Sequence, residues 1–288
     1  MKRLGIIANT SKGRAPDILR RIVARAKTLG LDLCADAASA ALTTGLRAVP
    51  PATALDGVDA VMAVGGDGTM LRAFRALGAR DIPLVGVNIG GLGFLTSVAD
   101  GDLERALECL ARDEVVFSRR SVAECVVRRD GKETGRYAAL NDVVVSSGAS
   151  SRVVMLNVSV GGDHMASYLC DGLIVSTPTG STGHNLAAGG PILVPEARTF
   201  VISLICPHTL SSRPLVVPDS SDIAIRAGRP SEKGLSLSVD GQVGQILRDD
   251  EVVHVHACQT GVRFIHLPGY NYFAVLSQKL GWKGSNVR

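Results

Sequence analysis

The chain has 288 residues, of which 46% are hydrophobic, 20% charged and only 4% aromatic, with a formal net charge of +4. That length suits two domains or one large one, and the composition is that of an ordinary soluble globular protein with an aliphatic core. The mild positive balance makes no case for nucleic acid and does not oppose anionic substrates. Six scattered cysteines form no C-x-x-C pair, which argues against a disulfide framework or a structural zinc site. Met1-Lys2-Arg3 runs straight into a strand-like segment, leaving no room for a signal peptide. No apolar run is long enough to span a membrane. A reducing, cytoplasmic setting is the expectation.

Leu4–Ala8 reads as a first strand. Pro16–Leu29 carries Ile18, Leu19, Ile22, Val23, Ala26 and Leu29 at helical spacing, with Pro16 at its start and Gly30 at its end. Leu31–Cys34 reads as a second strand, and Ala35–Pro51 is weakly patterned. Val58–Val64 is short, valine-rich and apolar, as a strand buried on both faces should be. It runs into Gly65-Gly66-Asp67-Gly68-Thr69 and then a helix to about Leu77. Ile82–Val87 is a further strand, followed by a second glycine-rich loop, Asn88–Thr96, and a short helix over Asp102–Leu110. Strands alternating with helices predict an open, mostly parallel, three-layer sheet.

The pattern turns to β near Ser118. Val122–Arg128 and Arg136–Ser146 flank Asp130-Gly131, a two-residue hairpin signal; Val153–Val160 and His164–Leu169 flank Gly161-Gly162-Asp163. Gly172–Ser176, Phe200–Ile205, Ile223–Arg226, Leu235–Val239 and Glu251–His256 are also strand-like. Asn271–Leu280 reads as a last helix closed by Gly281. The expected architecture is an α/β N-terminal domain over residues 1–118 and an all-β, sandwich-like domain over 119–262. The segment 263–288, with its helix, returns to pack on the first domain.

Four stretches carry candidate chemistry. In the first, the glycines are expected to permit positive φ and close approach of another molecule to the main chain. Thr69 would cap the following helix. Asp67 then stands at the carboxyl end of a parallel strand beside a helix N-terminus, where open α/β sheets bind ligands and where phosphates are favoured. Second, Asn141-Asp142 places an amide and a carboxylate inside an apolar strand. A plain reading has one residue capping a turn and the other facing water. The cost of embedding polar groups in so apolar a strand favours a ligand role. Third, Asp171–Gly183 is a strand ending in hydroxyls and glycines, followed by the short helical run His184–Pro191. Such a turn suits a polyanionic or polyhydroxyl ligand, a Ser/Thr turn being the plainer alternative. Fourth, Val239-Asp240-Gly241-Gln242 reads as a hairpin turn. His254-x-His256-x-Cys258 lies on one strand face and is read as structural for want of a fourth ligand. The chain has no G-x-x-x-x-G-K-[ST], G-x-G-x-x-G, G-x-S-x-G or H-E-x-x-H.

A lone carboxylate amid exposed backbone N–H groups fits phosphoryl transfer, which needs held phosphates, a charge-neutralising metal and an oriented acceptor hydroxyl. Asp67 would take the hydroxyl proton, and the amides of Gly65, Gly66, Gly68 and Thr69 would hold phosphate oxygens.

Nearly the whole chain resembles the NAD kinase family, which uses ATP or polyphosphate to form NADP. Gly65-Gly66-Asp67-Gly68-Thr69 is similar to its G-G-D-G-T motif, and Asn88–Thr96 to its N-x-G-x-L-G-F-L-T loop. Asn141-Asp142 stands where the family has Asn followed by Glu or Asp. Asp171–Pro191 is similar to the long D-G-x-x-x-S-T-P-T-G-S-T…G-G-P block, and His208–Val217 and Tyr270–Trp282 resemble further family segments. The resemblance implies an active site between an α/β domain and a β-sandwich. It implies transfer from ATP, with Mg²⁺ or another divalent metal and no fixed protein metal ligands, to the 2′-hydroxyl of NAD's adenosine ribose. Asp67 would be the proton acceptor. Asn88, Gly90 and Phe94 would join the phosphate loop. Asp67, Gly68, Asn141, Asp142, Arg152, Asp171, Thr182, Gly183, His184, Asn185, Leu186, Ala187 and Gln242 would contact NAD, some of them across a subunit interface of a homodimer or homotetramer. The chain departs from the family at His184, where many members have Tyr, and at Asp142, one methylene shorter than the common Glu. At Leu169 it is apolar where some members carry a charged residue or glycine tied to donor choice. Two other readings compete: a lipid or other small-molecule kinase sharing the glycine-rich turn, and a non-catalytic NAD(P)-binding module. The Asp171–Pro191 block opposes the first and the intact Asp67 turn the second.

Overall fold

The structure is a computed structural model that describes residues 1–50, 55–91, 93–147, 153–229 and 234–282. The chain forms two compact units: Met1–Ser118 together with the chain from Val262 onward, and Arg119–Gly261.

The first unit opens with β1 (Arg3–Ala8), α1 (Ala15–Leu29), β2 (Asp32–Ala35), α2 (Ala37–Ala40) and β3 (Arg47–Ala48). It continues with β4 (Ala60–Gly65), α3 (Asp67–Leu77), β5 (Leu84–Asn88), α4 (Leu103–Ala111) and β6 (Val116–Arg120). The weakly patterned stretch after Ala35 thus holds a one-turn helix and a two-residue strand. Pro16 lies in the first turn of α1, and Gly30 closes it at φ 69°, a left-handed position that glycine occupies without strain. Every residue of β4 and β5 is buried, which explains their unbroken apolar character. Leu4, Ile6, Met62, Val64, Val85 and Val87 face a core shared with Ile18, Leu19 and Ile22 of α1 and Leu103, Leu107 and Leu110 of α4. The alternate residues face the other way, where Met70 of α3 packs so closely on Gly86 that a β-carbon there would fall 2.9 Å from its sulfur. Helices therefore cover both faces, and the unit has three layers.

The second unit holds β7 (Ala123–Arg129), β8 (Lys132–Ala139), β9 (Asp142–Ser146), β10 (Val154–Val160), β11 (Asp163–Cys170) and β12 (Gly172–Ser176). After α5 (His184–Ala187) come β13 (Thr199–Ile205), β14 (Leu215–Pro218), β15 (Ile223–Ala227), β16 (Leu235–Val239), β17 (Gln242–Leu247) and β18 (Val252–Ala257). Two six-stranded antiparallel sheets result, ordered β11-β10-β15-β18-β7-β8 and β14-β13-β12-β9-β16-β17. Alternate residues of both, among them Val127, Leu156, Val253, Val145, Leu173 and Leu237, share one apolar core. The hairpins turn through Asp130-Gly131 and Gly161-Gly162, with positive φ at all four residues, as primed turns require. Arg136–Ser146 is not one strand. It breaks at Leu140–Asn141, so that β8 lies in one sheet and β9 in the other.

The chain then returns to the first unit. β19 (Val262–His266) enters its sheet, whose order is β3-β2-β1-β4-β5-β19-β6, and α6 (Tyr272–Leu280) follows. From β3 through β19 every recorded pairing in this sheet is parallel. Asn271 caps α6 by accepting from Ala274 N, and Gly281 ends it at φ 67°. No helix among the described residues is long and apolar enough to cross a membrane. β14, β17 and β19 went unanticipated. Leu215–Pro218 and Gln242–Leu247 are edge strands whose exposed or polar residues blur the alternation.

Candidate active site

The order β3-β2-β1-β4-β5 reverses direction between β1 and β4. The loops after these two strands therefore splay apart and leave a crevice at the carboxyl ends of the strands. Asn9, Lys12, Gly66, Gly68, Thr69 and Arg72 line a cavity of about 360 Å³ there. Two cationic side chains and the first turn of the 11-residue helix α3 make it an anion site by charge and by dipole. Arg72 is fixed by donating to Ala8 O at 2.6 Å.

Of the two purposes expected of the glycines of this turn, positive φ is not served. Gly65, Gly66 and Gly68 are absent from the positive-φ positions. Gly65 is required by packing, since a β-carbon there would lie 2.0 Å from Thr69 Oγ1. Around Gly66 and Gly68 the space that a side chain would fill is open, so another molecule can approach the main chain there. Nor does Thr69 cap α3: Gly66 stands at the N-cap position, with no side-chain cap, and Thr69 is buried within the first turn.

Asp67 is the first residue of α3. Its Oδ2 accepts from Phe94 N at 3.0 Å and its Oδ1 from Leu95 N at 2.9 Å. Gly93 lies against the carboxylate: a β-carbon there would meet Asp67 Oδ1 at 2.1 Å. The second glycine-rich loop is thus built around the aspartate of the first. Asn88 shapes that loop, accepting from Gly90 N at 2.7 Å and donating to Gly91 O at 2.8 Å and Thr96 Oγ1 at 3.1 Å. Its amide is committed to the loop and not to a ligand. Phe94 is half-buried, and Lys279 Nζ of α6 sits 5.5 Å from its ring centroid, within cation–π range.

In the second unit, Val143 and Val145 face the sandwich core, so Asp142 faces the opposite side of β9. It is buried, not turned to water. Burial, and then the charge of Asp240, push its carboxyl up to about 7. Asn141 Oδ1 is buried and has no hydrogen-bond partner among the described residues, an arrangement that costs stability unless a ligand supplies the donor. Gly183 comes near the same side chain, a β-carbon there lying 3.9 Å from Asn141 Nδ2.

Most hydroxyls of the Ser176–Thr182 run turn inward, unlike the expected ligand-facing array. Ser176 Oγ donates to Thr177 O at 3.0 Å, Thr177 Oγ1 to Leu140 O at 2.5 Å and Ser181 Oγ to Pro178 O at 2.7 Å. Thr179 Oγ1 alone of the run is buried and unpartnered among the described residues. Asn185 is wholly buried, donating to Ser181 O and Pro191 O at 3.1 Å each and accepting from Ser203 Oγ at 2.7 Å. It holds the turn together, with both of its N–H donors spent on the turn. Gly183, His184 and Ala187 are exposed, while Asp171, Thr182 and Leu186 are half-buried. Gln242 is exposed at the start of β17. Arg152 lies outside the described residues.

Sequence reasoning missed Asp240. Read as a turn residue, it does turn the β16–β17 hairpin at φ 50°, followed by Gly241 at 72°. Its carboxylate also accepts from Leu140 N at 3.0 Å, Asn141 N at 2.7 Å and Asp142 N at 3.1 Å. Nothing local in Val-Asp-Gly-Gln signals a contact made across about a hundred residues. Sequence reasoning also passed over Lys12 and Arg72, because only the strand order brings them together. The histidines of β18 form surface pairs, His254 Nδ1 with Asp222 Oδ2 at 3.1 Å and His256 Nε2 with Glu124 Oε2 at 2.8 Å.

Comparison with known proteins agrees with this geometry. Residues 4–115 match the ATP-NAD kinase N-terminal domain and residues 140–267 the ATP-NAD kinase C-terminal domain. A protein of Syntrophotalea carbinolica named NAD kinase is 39% identical over 98% of this chain and 99% of its own. One of Gemmatimonas aurantiaca, also named NAD kinase, is 44% identical over 80% of each chain. Among solved structures, an NAD kinase from Archaeoglobus fulgidus in complex with ATP aligns with a TM-score of 0.76 at 25% identity, covering 98% of this chain and all of that one. Yeast NADH kinase complexed with NADH shares the fold, with a TM-score of 0.91 at 22% identity over 99% of this chain and 89% of its own. With both domain matches in sequence order and relatives aligned end to end, the chain belongs to the ATP-NAD kinase family.

Proposed function

We propose that this chain transfers a phosphoryl group from ATP to the 2′-hydroxyl of the adenosine ribose of NAD, giving NADP, with Asp67 as the proton acceptor. The observation that carries this reading is the clamped Asp67 carboxylate at the N-terminus of α3, beside a cavity lined by Lys12, Arg72, Gly66 and Gly68. Phosphates of the donor occupy the cavity. The ribose oxygen attacks the γ-phosphorus as the bond to the ADP oxygen breaks, and the hydroxyl proton passes to Asp67. Each Asp67 oxygen accepts one N–H and retains a lone pair for that task. Two backbone bonds also hold the carboxylate against drift, which is what positioning for in-line transfer requires.

Among the described residues no group of three or more His, Cys, Asp or Glu side chains converges as a metal cage. A Mg²⁺ held by the donor's phosphate oxygens and its own waters would need no fixed protein ligand. Such a cation neutralises charge on the transferring group.

On the acceptor side, Asn141 and Asp142 bind NAD, with Asp171, Thr182, Gly183, His184, Leu186 and Ala187 as further contacts and Asn185 as the scaffold of their turn. The orphaned Asn141 Oδ1 and Thr179 Oγ1 support this assignment. Gln242 belongs to the rim, and Arg152 is carried by the family resemblance alone. A homodimer or homotetramer is part of the proposal. Leu210 at 98% exposure, and Leu215 and Val216 on edge strand β14 at 42% each, are apolar surface that self-association would cover; light scattering reads the outcome. Six free cysteines suit a reducing cytoplasm.

Incubation of purified protein with NAD, ATP and Mg²⁺, with NADP read by an NADP-specific dehydrogenase, tests the reading. Folded protein that makes no NADP overturns it. Polyphosphate in place of ATP, and NADH in place of NAD, define donor and acceptor range.

A further inference from the structure

Leu140 and Asn141 form the crossover at which the chain leaves β8 in one sheet and enters β9 in the other. Peptide groups at such a crossover lack the partners a continuous strand would supply, yet buried N–H and C=O groups must be paired. We infer that Asp240 and Thr177 are the positioning residues of the NAD site: together they bind every peptide group of the crossover and so leave the Asn141 side chain to the ligand. The inference rests on the reading that Asn141 and Asp142 bind NAD.

The bonding supports this at each peptide. Asp240 Oδ2 accepts from Leu140 N, and Asp240 Oδ1 accepts from Asn141 N and Asp142 N, at 3.0, 2.7 and 3.1 Å. The backbone N–H of Asp240 returns to Asp142 O at 2.9 Å. On the carbonyl side, Thr177 Oγ1 donates to Leu140 O at 2.5 Å and Thr177 N to Asn141 O at 2.9 Å. Gly180 closes the remaining side: a β-carbon there would lie 2.1 Å from Asn141 O. The main chain is held from both ends of its dipoles, and Asn141 Oδ1 is the buried acceptor left over.

A residue that only turned a hairpin would not need this. Asp tolerates positive φ, but an exposed turn carboxylate makes few contacts, whereas Asp240 is 7% exposed and accepts three amides. An anion here also has an electrical consequence. Asp142 pairs with Ser176 on β12, and the next residue, Val143, pairs with Val239, the neighbour of Asp240; Asp240 is the charged group acting on Asp142 among the described residues. The protonation of Asp142, and with it any hydrogen bond from an NAD hydroxyl to its ionised form, is therefore coupled to Asp240.

Asp240→Asn tests this. One carboxylate oxygen becomes an NH₂ facing N–H donors, so at least one bond is lost. The KM for NAD should rise about tenfold, the factor equivalent to 1.4 kcal/mol, while kcat changes less. Hydrogen exchange at the 140–142 amides should accelerate. The acid limb of NAD affinity should move to lower pH, because a like charge beside Asp142 has gone; a merely structural role would lower stability without moving that limb. Thr177→Val should also raise the KM for NAD, and Thr177→Ser, which keeps the hydroxyl, should restore it. If Asp240→Asn fails to fold, the Thr177 pair carries the test. Asn141→Ala separates the two levels. If it leaves NAD affinity unchanged, the NAD assignment itself falls. If it weakens NAD while Asp240→Asn and Thr177→Val both stay within twofold of wild type, the positioning inference is overturned.

Discussion

Gly93 and Asp67 are in contact across 26 residues of sequence, with no room for a side chain between them: a β-carbon on Gly93 would sit 2.1 Å from Asp67 Oδ1. The glycine lets Phe94 N and Leu95 N close on the carboxylate. Asp67 and the second loop are therefore one structural unit.

Gly93→Ala should push the carboxylate away from both amides. A displacement of about 1 Å at a reacting group costs on the order of a hundredfold in rate. We expect kcat to fall by about that factor, with the KM for NAD changed much less, in steady-state assays of NADP formation.

Asp67→Asn keeps the shape and removes the base, at the loss of one of the two backbone hydrogen bonds, since its NH₂ faces an N–H donor. General-base help is worth about two to four orders of magnitude, so kcat should drop within that range while the equilibrium affinity for NAD, measured by calorimetry, holds. Turnover equal to wild type would show that Asp67 is not the proton acceptor.

Lys12→Ala removes one of the two cations of the cavity at the β1–β4 switch. The KM for ATP should rise roughly tenfold, as loss of one charge-assisted hydrogen bond predicts. The KM for NAD should stay put. An unchanged KM for ATP would place the donor's phosphates elsewhere.

Asp142 gives a pH prediction with a definite sign. Burial and Asp240 raise its carboxyl in the folded protein from an ordinary 3.8 to about 7. Between those values the folded state holds a proton that the unfolded chain has released, so this group's contribution to stability falls as pH rises through that window. Asp142→Asn mimics the protonated form. Calorimetry should show the Tm of the variant drawing level with or passing that of wild type by pH 8, while wild type is relatively favoured at pH 5. A gap independent of pH would refute the raised carboxyl.

Much of the fold was legible because its signals are local. The apolar runs of β1, β4 and β5 identify strands covered on both faces, Pro16 and Gly30 bracket α1, and Asp130-Gly131 makes a primed turn. The turn at Asp67 stood out for the same reason: a carboxylate among glycines, after a buried strand and before a helix, is a short-range pattern. What the glycines are for was not legible. Positive φ was the natural local guess, yet Gly65 is demanded by Thr69 and Gly93 by Asp67, and neighbours in space leave no mark on the residues beside them in sequence.

The amino-acid sequence by itself determined most of the elements, the two compositional halves and the candidate acid, because periodicity, caps and turn chemistry act over a few residues. Only tertiary structure decided which polar groups are free to work. It committed Asn88 and Asn185 to their own loops, gathered Lys12 and Arg72 at a reversal of strand order, and made Asp240 the partner of three distant amides. Hydrogen-bond satisfaction is a property of the whole buried neighbourhood, so it is settled when sheets pair and pack and not before.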